Sequence, residues 1–217
     1  MRDTTLLGLL LTTVEAVATA AFALSGLLEA ARKRLDAVGV CVVAGLAAFG
    51  GGTLRDVLLD RRPFFWVENA TWLWALLVLC IAAMALLRAR HLAVTERAMQ
   101  WPDALGLGLF SASGTQLALA QDLPAIVAVL MGVVTAAFGG VLRDIVCNEI
   151  PSAFSDHRPY AVCAFVGGWV LVGARAAGVP DEAAVLLAAA VATGSRALAL
   201  ATDYRLPAWM AGGEQDR

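Results

Sequence analysis

The chain alternates long apolar stretches with short polar breaks, and that rhythm sets its class. A bilayer core of about 30 Å is crossed by about 20 apolar helical residues. Runs of this kind occupy about 6–28, 37–59, 69–88, 103–120, 124–146, 159–177 and 182–202. The breaks between them are polar and include Arg32-Lys33-Arg34, Arg61-Arg62-Pro63, Arg88-Ala89-Arg90, Gln121-Asp122 and Asp181-Glu182. The pattern predicts an all-α membrane protein with seven transmembrane helices. No stretch is left for a separate soluble module, so residues 1–217 are expected to form a single transmembrane domain. Trp66, Trp72, Trp74, Trp101 and Trp209 sit near the proposed span ends and fit an interfacial belt.

Composition agrees. The chain is 60% hydrophobic and 16% charged, and its mean hydropathy is +0.75. Soluble domains average about 45–50% apolar and about 25% charged, so lipid must solvate much of this surface. The net charge of −2 offers no basic surplus for nucleic acid, and none is expected as a partner. Cys41, Cys80, Cys147 and Cys163 are scattered without a CxxC pair, and His91 and His157 lie in loops. Neither a metal site nor a disulfide framework is expected, and no cofactor. Arg2 before an apolar run and Ala18-Thr19-Ala20 resemble a signal peptide, but Asp3 cancels the charge and Glu15 interrupts the run, so cleavage is not expected.

Lys and Arg favour cytoplasmic loops. With seven spans, one side holds Arg32, Lys33, Arg34, Arg88, Arg90, Arg97, Arg158, Arg205 and Arg217, and the other Arg2, Arg61, Arg62 and Arg175. The richer side is assigned to the cytoplasm. The N-terminus is then outside and the C-terminus inside, in a multi-pass cell-membrane protein.

The chain also repeats itself. Gly51, Gly52, Leu54, Arg55 and Asp56 fall on Gly139, Gly140, Leu142, Arg143 and Asp144 at an offset of 88 residues. Pro63 falls on Pro151, and Phe22, Ser25 and Gly26 fall on Phe110, Ser113 and Gly114, at the same offset. Repeat one covers about 6–88, repeat two about 103–177, and an extra seventh helix about 182–202. Each unit has three spans, so the second copy enters from the opposite side and the repeats are inverted. Transport proteins use this architecture, with functional sites near the midplane at broken helices.

Ionisable groups within spans are costly and mark function by default. Here they are Glu15, Arg55-Asp56, Arg143-Asp144 and Arg196. Neighbours in a helix do not face each other, so Arg55 and Asp56 need separate partners or a helix break beside them. Gly50, Gly51, Gly52, Gly139 and Gly140 supply a place to break, since glycine costs about 1 kcal/mol of helix stability relative to alanine. A break frees carbonyls that can coordinate a cation or accept from arginine. Glycines in membrane helices also serve simply as close-packing points. Arg196, near the end of the last span, can snorkel to the interface.

The doubled motif, Gly50-Gly51-Gly52-Thr53-Leu54-Arg55-Asp56 and Gly139-Gly140-Val141-Leu142-Arg143-Asp144-Ile145 followed by Asn148-Glu149-Ile150-Pro151, resembles the prokaryotic branch of the trimeric intracellular cation channel (TRIC) family. The resemblance spans about residues 6–202. It implies a homotrimer in membrane lipid with a pore in each protomer, permeable to K⁺ and Na⁺, flanked by glycine-kinked second and fifth helices. The second copy departs from the first in having two glycines, with Phe138 opposite Gly50. Asp56 and Asp144 would favour cations at the pore mouths, and Arg55 and Arg143 would hold the broken segments. A secondary transporter of a small amino acid such as glycine is the alternative, with Glu15 carrying a coupling proton. No enzyme is expected, because no Ser/His pair or HExxH string lies within the spans.

The charge count yields one test. A reporter fused after Arg217 should react with impermeant reagents only once the membrane is opened, and labelling on intact cells would contradict the orientation.

Overall fold

The computed structural model describes residues 6–86 and 96–207. Arg2, Arg88, Arg90, His91, Trp209 and Arg217 lie outside the described residues. All regular structure among those described is helical. Long helices are α1 (Leu6–Arg32), α2 (Ala37–Leu58), α4 (Thr71–Leu86), α5 (Glu96–Leu119), α6 (Ala125–Val146), α8 (Ala161–Ala176) and α9 (Asp181–Thr202). Single turns, α3 (Phe65–Glu68) and α7 (Ser152–Ser155), follow α2 and α6. By length and composition α1, α2, α6 and α9 suffice to cross a membrane, while α4 and α8 are shorter apolar helices.

Two boundaries differ from the sequence reading. The α1 helix continues to Arg32, where Arg32 pairs with Glu29 one turn back at 2.7 Å, so polar residues there extend the helix rather than end it. The α5 helix starts at Glu96 and passes through Pro102. Proline removes one backbone donor, a loss the second turn of α5 carries.

At the centre, α5 packs on α1, α6, α8 and α9, and α2 lies across α1 and α6. The α4 helix rests on α2 and leaves Trp74, Val78 and Ile81 exposed. The buried positions are largely small: Ala18, Ala44, Ala47, Ala136, Ala164, Ala188 and Ala192 are fully covered. Small residues let helices approach closely where lipid supplies no hydrophobic drive for association.

The α2–α6 crossing is where glycine is required. A Cβ on Gly51 would fall on the Thr135 carbonyl oxygen, and one on Gly139 would fall on the Ala47 carbonyl oxygen. Thr135 is the counterpart of Ala47 at the 88-residue offset (135 − 47), so the contact is reciprocal. Phe22 and Phe110, also counterparts, stack at 5.6 Å. The helix ends repeat too. Asp60 and Asn148 take positive φ after α2 and α6. There Arg61 N–H bonds the Asp56 carbonyl, and Glu149 N–H the Asp144 carbonyl, both in the six-residue reach of a Schellman turn.

The expected helix break is not found: α2 and α6 run as helix through their glycines. The missing side chains are used for close approach between helices, so no backbone need be freed. Both Gly51→Ala and Gly139→Ala drive a methyl into backbone, and each should lower stability by about 1–3 kcal/mol or more. Gly173 has open space around its Cβ position, so Gly173→Ala should be neutral or stabilising by up to about 1 kcal/mol. Thermal melts of the three variants in mild detergent check the ranking.

Candidate functional site

The crossing helices each carry an arginine near their C-terminal end, and both arginines are buried. Arg55 is fully covered. Its Nη1 donates to the Glu15 carboxylate of α1, while Nε and Nη2 donate to Asp56 Oδ1 at 2.9 and 2.8 Å. The guanidinium lies 5.6 Å from the Phe65 ring. Arg61 approaches Asp56 Oδ1 at 3.5 Å. Asp56 Oδ2 accepts from Phe65 N–H at 3.0 Å, so this carboxylate also caps the first turn of α3.

The second cluster is built the same way. Arg143 Nη1 donates to Asp103 Oδ1 at 2.7 Å and to Ser25 Oγ at 2.6 Å, and Nε donates to Asp144 Oδ1 at 2.8 Å. Asp144 Oδ2 accepts from Ser152 N–H and Oγ–H at 2.8 and 3.0 Å at the start of α7. Three charged members have counterparts 88 residues away: Glu15 with Asp103, Arg55 with Arg143, Asp56 with Asp144. Glu15 and Ser25 are ten residues apart on α1, which separates the two clusters by about 15 Å along that helix.

Three expectations need correction. Arg55 and Asp56 bond each other directly, as do Arg143 and Asp144. The neighbour rule concerns Cβ directions, and a long guanidinium stem curls back over it. The arginines donate to carboxylates and a serine hydroxyl, since no carbonyl is freed by a break. Arg196 does not snorkel: it is 2% exposed, donates to the Pro159 carbonyl at 3.1 Å and Asp156 at 3.4 Å, and lies 5.0 Å from the Tyr160 ring.

The remaining predicted residues take distinct places. Gly52 faces the Phe65 ring, Gly140 faces Tyr160 and Asp103, and Gly50 faces Leu142. Asp144 borders a polar cavity of about 290 Å³ with Arg32, Glu149, Ser152, Asp156 and His157. Across it Glu149 takes Lys33 and, at 2.8 Å, Arg32. Hydrogen bonding to Lys33, then to Arg32, holds the Glu149 carboxyl below its ordinary range. Asp103 was missed because Trp101-Pro102-Asp103 reads as a span boundary. The signal was present in the offset, since Glu15 plus 88 is Asp103. Glu29 and Tyr160, buried polar groups at helix ends, gave no such signal.

Removing one partner of a buried ion pair costs about 3–5 kcal/mol. Arg143→Ala leaves Asp103 and Asp144 without a cation in the cluster, while Arg55→Ala leaves Asp56 with Arg61. Arg143→Ala should therefore be the more damaging, and equal losses for the two variants in chemical denaturation would show the pairing to be incidental.

Comparison with known proteins adds the family. A family model described as glycine transporter matches residues 12–88 and again residues 100–176, so both ends of the match move by 88. An inner membrane protein of Escherichia coli, YadS of the UPF0126 group, is 35% identical over 199 residues, covering 89% of this chain and 93% of its own. A UPF0126 membrane protein of Vibrio cholerae is 36% identical over 188 residues, covering 85% of this chain and 74% of its own. The crystal structure of the TRIC trimeric intracellular cation channel orthologue from Rhodobacter sphaeroides superposes with a TM-score of 0.82 at 33% identity, covering 89% of this chain and 98% of that one. With the all-helical fold and the doubled arginine cluster, these matches show that the chain is a multi-pass membrane protein of the family described as glycine transporter, with the TRIC channel fold.

Proposed function

We propose that the protein is a monovalent cation channel passing K⁺ and Na⁺, with one pore in each protomer of a homotrimer. The carrying observation is the pair of buried arginine–carboxylate clusters, of which the one at Arg143 sets two carboxylates against one guanidinium, within a fold similar to a cation channel. Carboxylates at two depths, in excess over arginine at the Arg143 cluster, favour cations over anions along one path. On this reading seven helices span the bilayer, with the N-terminus outside and the C-terminus in the cytoplasm. The two three-helix repeats are inverted about an axis in the membrane plane, as the reciprocal Gly51–Thr135 and Gly139–Ala47 contacts support. Glu15, Arg55 and Asp56 line the outer part of the path, and Arg143 and Asp144 the inner part. Gly50, Gly51, Gly52, Gly139 and Gly140 bring the helices close enough to shape it.

A second reading is kept because the matching family model is described as glycine transporter. A transporter for a small amino acid would use the same inverted repeats, with Glu15 as proton carrier. Planar-bilayer recording separates the two. The channel reading expects discrete single-channel currents in KCl without any organic substrate, reversing at the cation potential. Silent bilayers together with saturable glycine uptake into proteoliposomes would replace it with the transporter.

A further inference from the structure

After α9 the chain turns back on the bundle. Asp203 ends the helix with a φ of 53°, and residues 204–207 continue without helix. Two links fasten this short strap to the connection before α8. Arg158 donates to Asp203 Oδ1 from Nε at 2.8 Å and again from Nη2, and Leu206 N–H donates to the His157 carbonyl at 2.6 Å. The strap has no counterpart in the first repeat, because α9 stands outside the repeated unit.

Arg205 lies between the two links and borders the polar cavity of about 290 Å³ together with Asp144, Glu149 and Asp156. Its only printed ion pair is one contact to Asp203 at 3.4 Å, with 61% of the side chain exposed. An exposed pair of this kind holds a long side chain loosely. The other charges at this end are engaged: Glu149 with Arg32 and Lys33, and Asp156 with Arg158 and Arg196. In the group formed by the strap and the α7–α8 connection, Arg158, Arg196 and Arg205 exceed Asp156 and Asp203 by one positive charge (3 − 2). Deeper in, Asp103 and Asp144 exceed Arg143 by one negative charge (2 − 1). Arg158 and Arg196 are 12% and 2% exposed, so Arg205 is the loosely held member of the positive surplus.

We propose that Arg205 is a tethered counter-cation at the C-terminal mouth of the ion path, competing there with cations that enter from that side. The strap sets its reach, and the long stem lets the guanidinium lean into the cavity toward Asp144 or out to water. Leaning in, it takes up the negative field that an entering cation would use, and repels the ion. The effect is directional, because it acts on entry at this mouth and not at the opposite one. The inference rests on the cation-channel reading and names within it a residue that sets conductance from one face.

The test is single-channel recording of the full-length protein in planar bilayers, in symmetric KCl at about 0.15 M and about 1 M, between which the screening length falls from about 8 to about 3 Å. At the lower concentration Arg205→Gln should raise the current carried by K⁺ entering from the C-terminal face by about 1.5–2-fold, the effect of one unit charge about 8 Å away in water. Arg205→Glu should raise it further, and Arg205→Lys should keep the wild-type current–voltage curve. At the higher concentration the differences should fade. Arg205→Cys identifies the face: an impermeant sulfonate thiol reagent added on one side should raise entry from that side, and a trimethylammonium thiol reagent should lower it. Thermal melts of the four variants should match wild type, because the side chain is exposed, so a changed current is not a folding defect. Wild-type current–voltage curves for both Arg205→Gln and Arg205→Glu at the lower concentration overturn the proposal, as does an equal change for entry from both faces. If the wild type conducts and these curves do not move, only this inference falls. If the wild type never passes current, the channel reading falls and takes this inference with it.

Discussion

A guanidinium inside a membrane protein must have its donors met by the protein. Arginine stays charged under all ordinary conditions, and hydrocarbon offers it nothing. Much of this fold follows from meeting that demand twice. Arg55 fixes α2 against α1 through Glu15 and, through Asp56, sets the start of α3. Arg143 fixes α6 against α5 through Asp103 and against α1 through Ser25, while Asp144 sets the start of α7. Each arginine therefore joins a long crossing helix, the helix before it in the repeat, and the turn after it. Removing Arg143 leaves Asp103 and Asp144 without a cation in a poorly solvated place, whereas removing Arg55 leaves Asp56 with Arg61.

The clusters lie on either side of a crossing made of backbone. Gly51 on Thr135 and Gly139 on Ala47 bring α2 and α6 together with no side chain between them. Close approach and buried charge support each other. The glycines hold the arginines at fixed depths, and the ion pairs supply the polar attraction that apolar packing in lipid lacks. Departures from the repeat are informative for the same reason. Arg61 and Glu149 occupy equivalent positions with opposite charge, so one cluster carries its own balancing cation and the other does not.

Much of this was legible in the sequence. Among the described residues each apolar run falls on a long helix, within a few residues except at α5, which starts at Glu96, seven residues before the expected 103, because lipid-facing surface demands long apolar stretches. The 88-residue offset found the doubled glycines and the Arg-Asp pairs directly. Asp103 was hidden by Pro102, since a proline beside a charge looks like the end of a span. That Arg55 donates to Glu15, and not to a freed carbonyl, was hidden as well. Sequence marks where a glycine stands but not whether its missing side chain serves a bend or a neighbour. That depends on the Thr135 and Ala47 carbonyls, which come from the partner helix. Arg196 was misread because its partners, Pro159 and Asp156, lie 37 and 40 residues earlier in the chain.

The claim that the buried ion pairs organise the bundle is tested most directly by a double-mutant cycle on Arg143 and Asp103. Arg143→Met, Asp103→Asn and the double variant would each be unfolded reversibly in detergent. The account predicts strong non-additivity, with a coupling energy of about 1–3 kcal/mol, because each single change strands the other's charge. Losses that add to within about 0.5 kcal/mol would show that the two groups do not depend on each other, and would contradict the account.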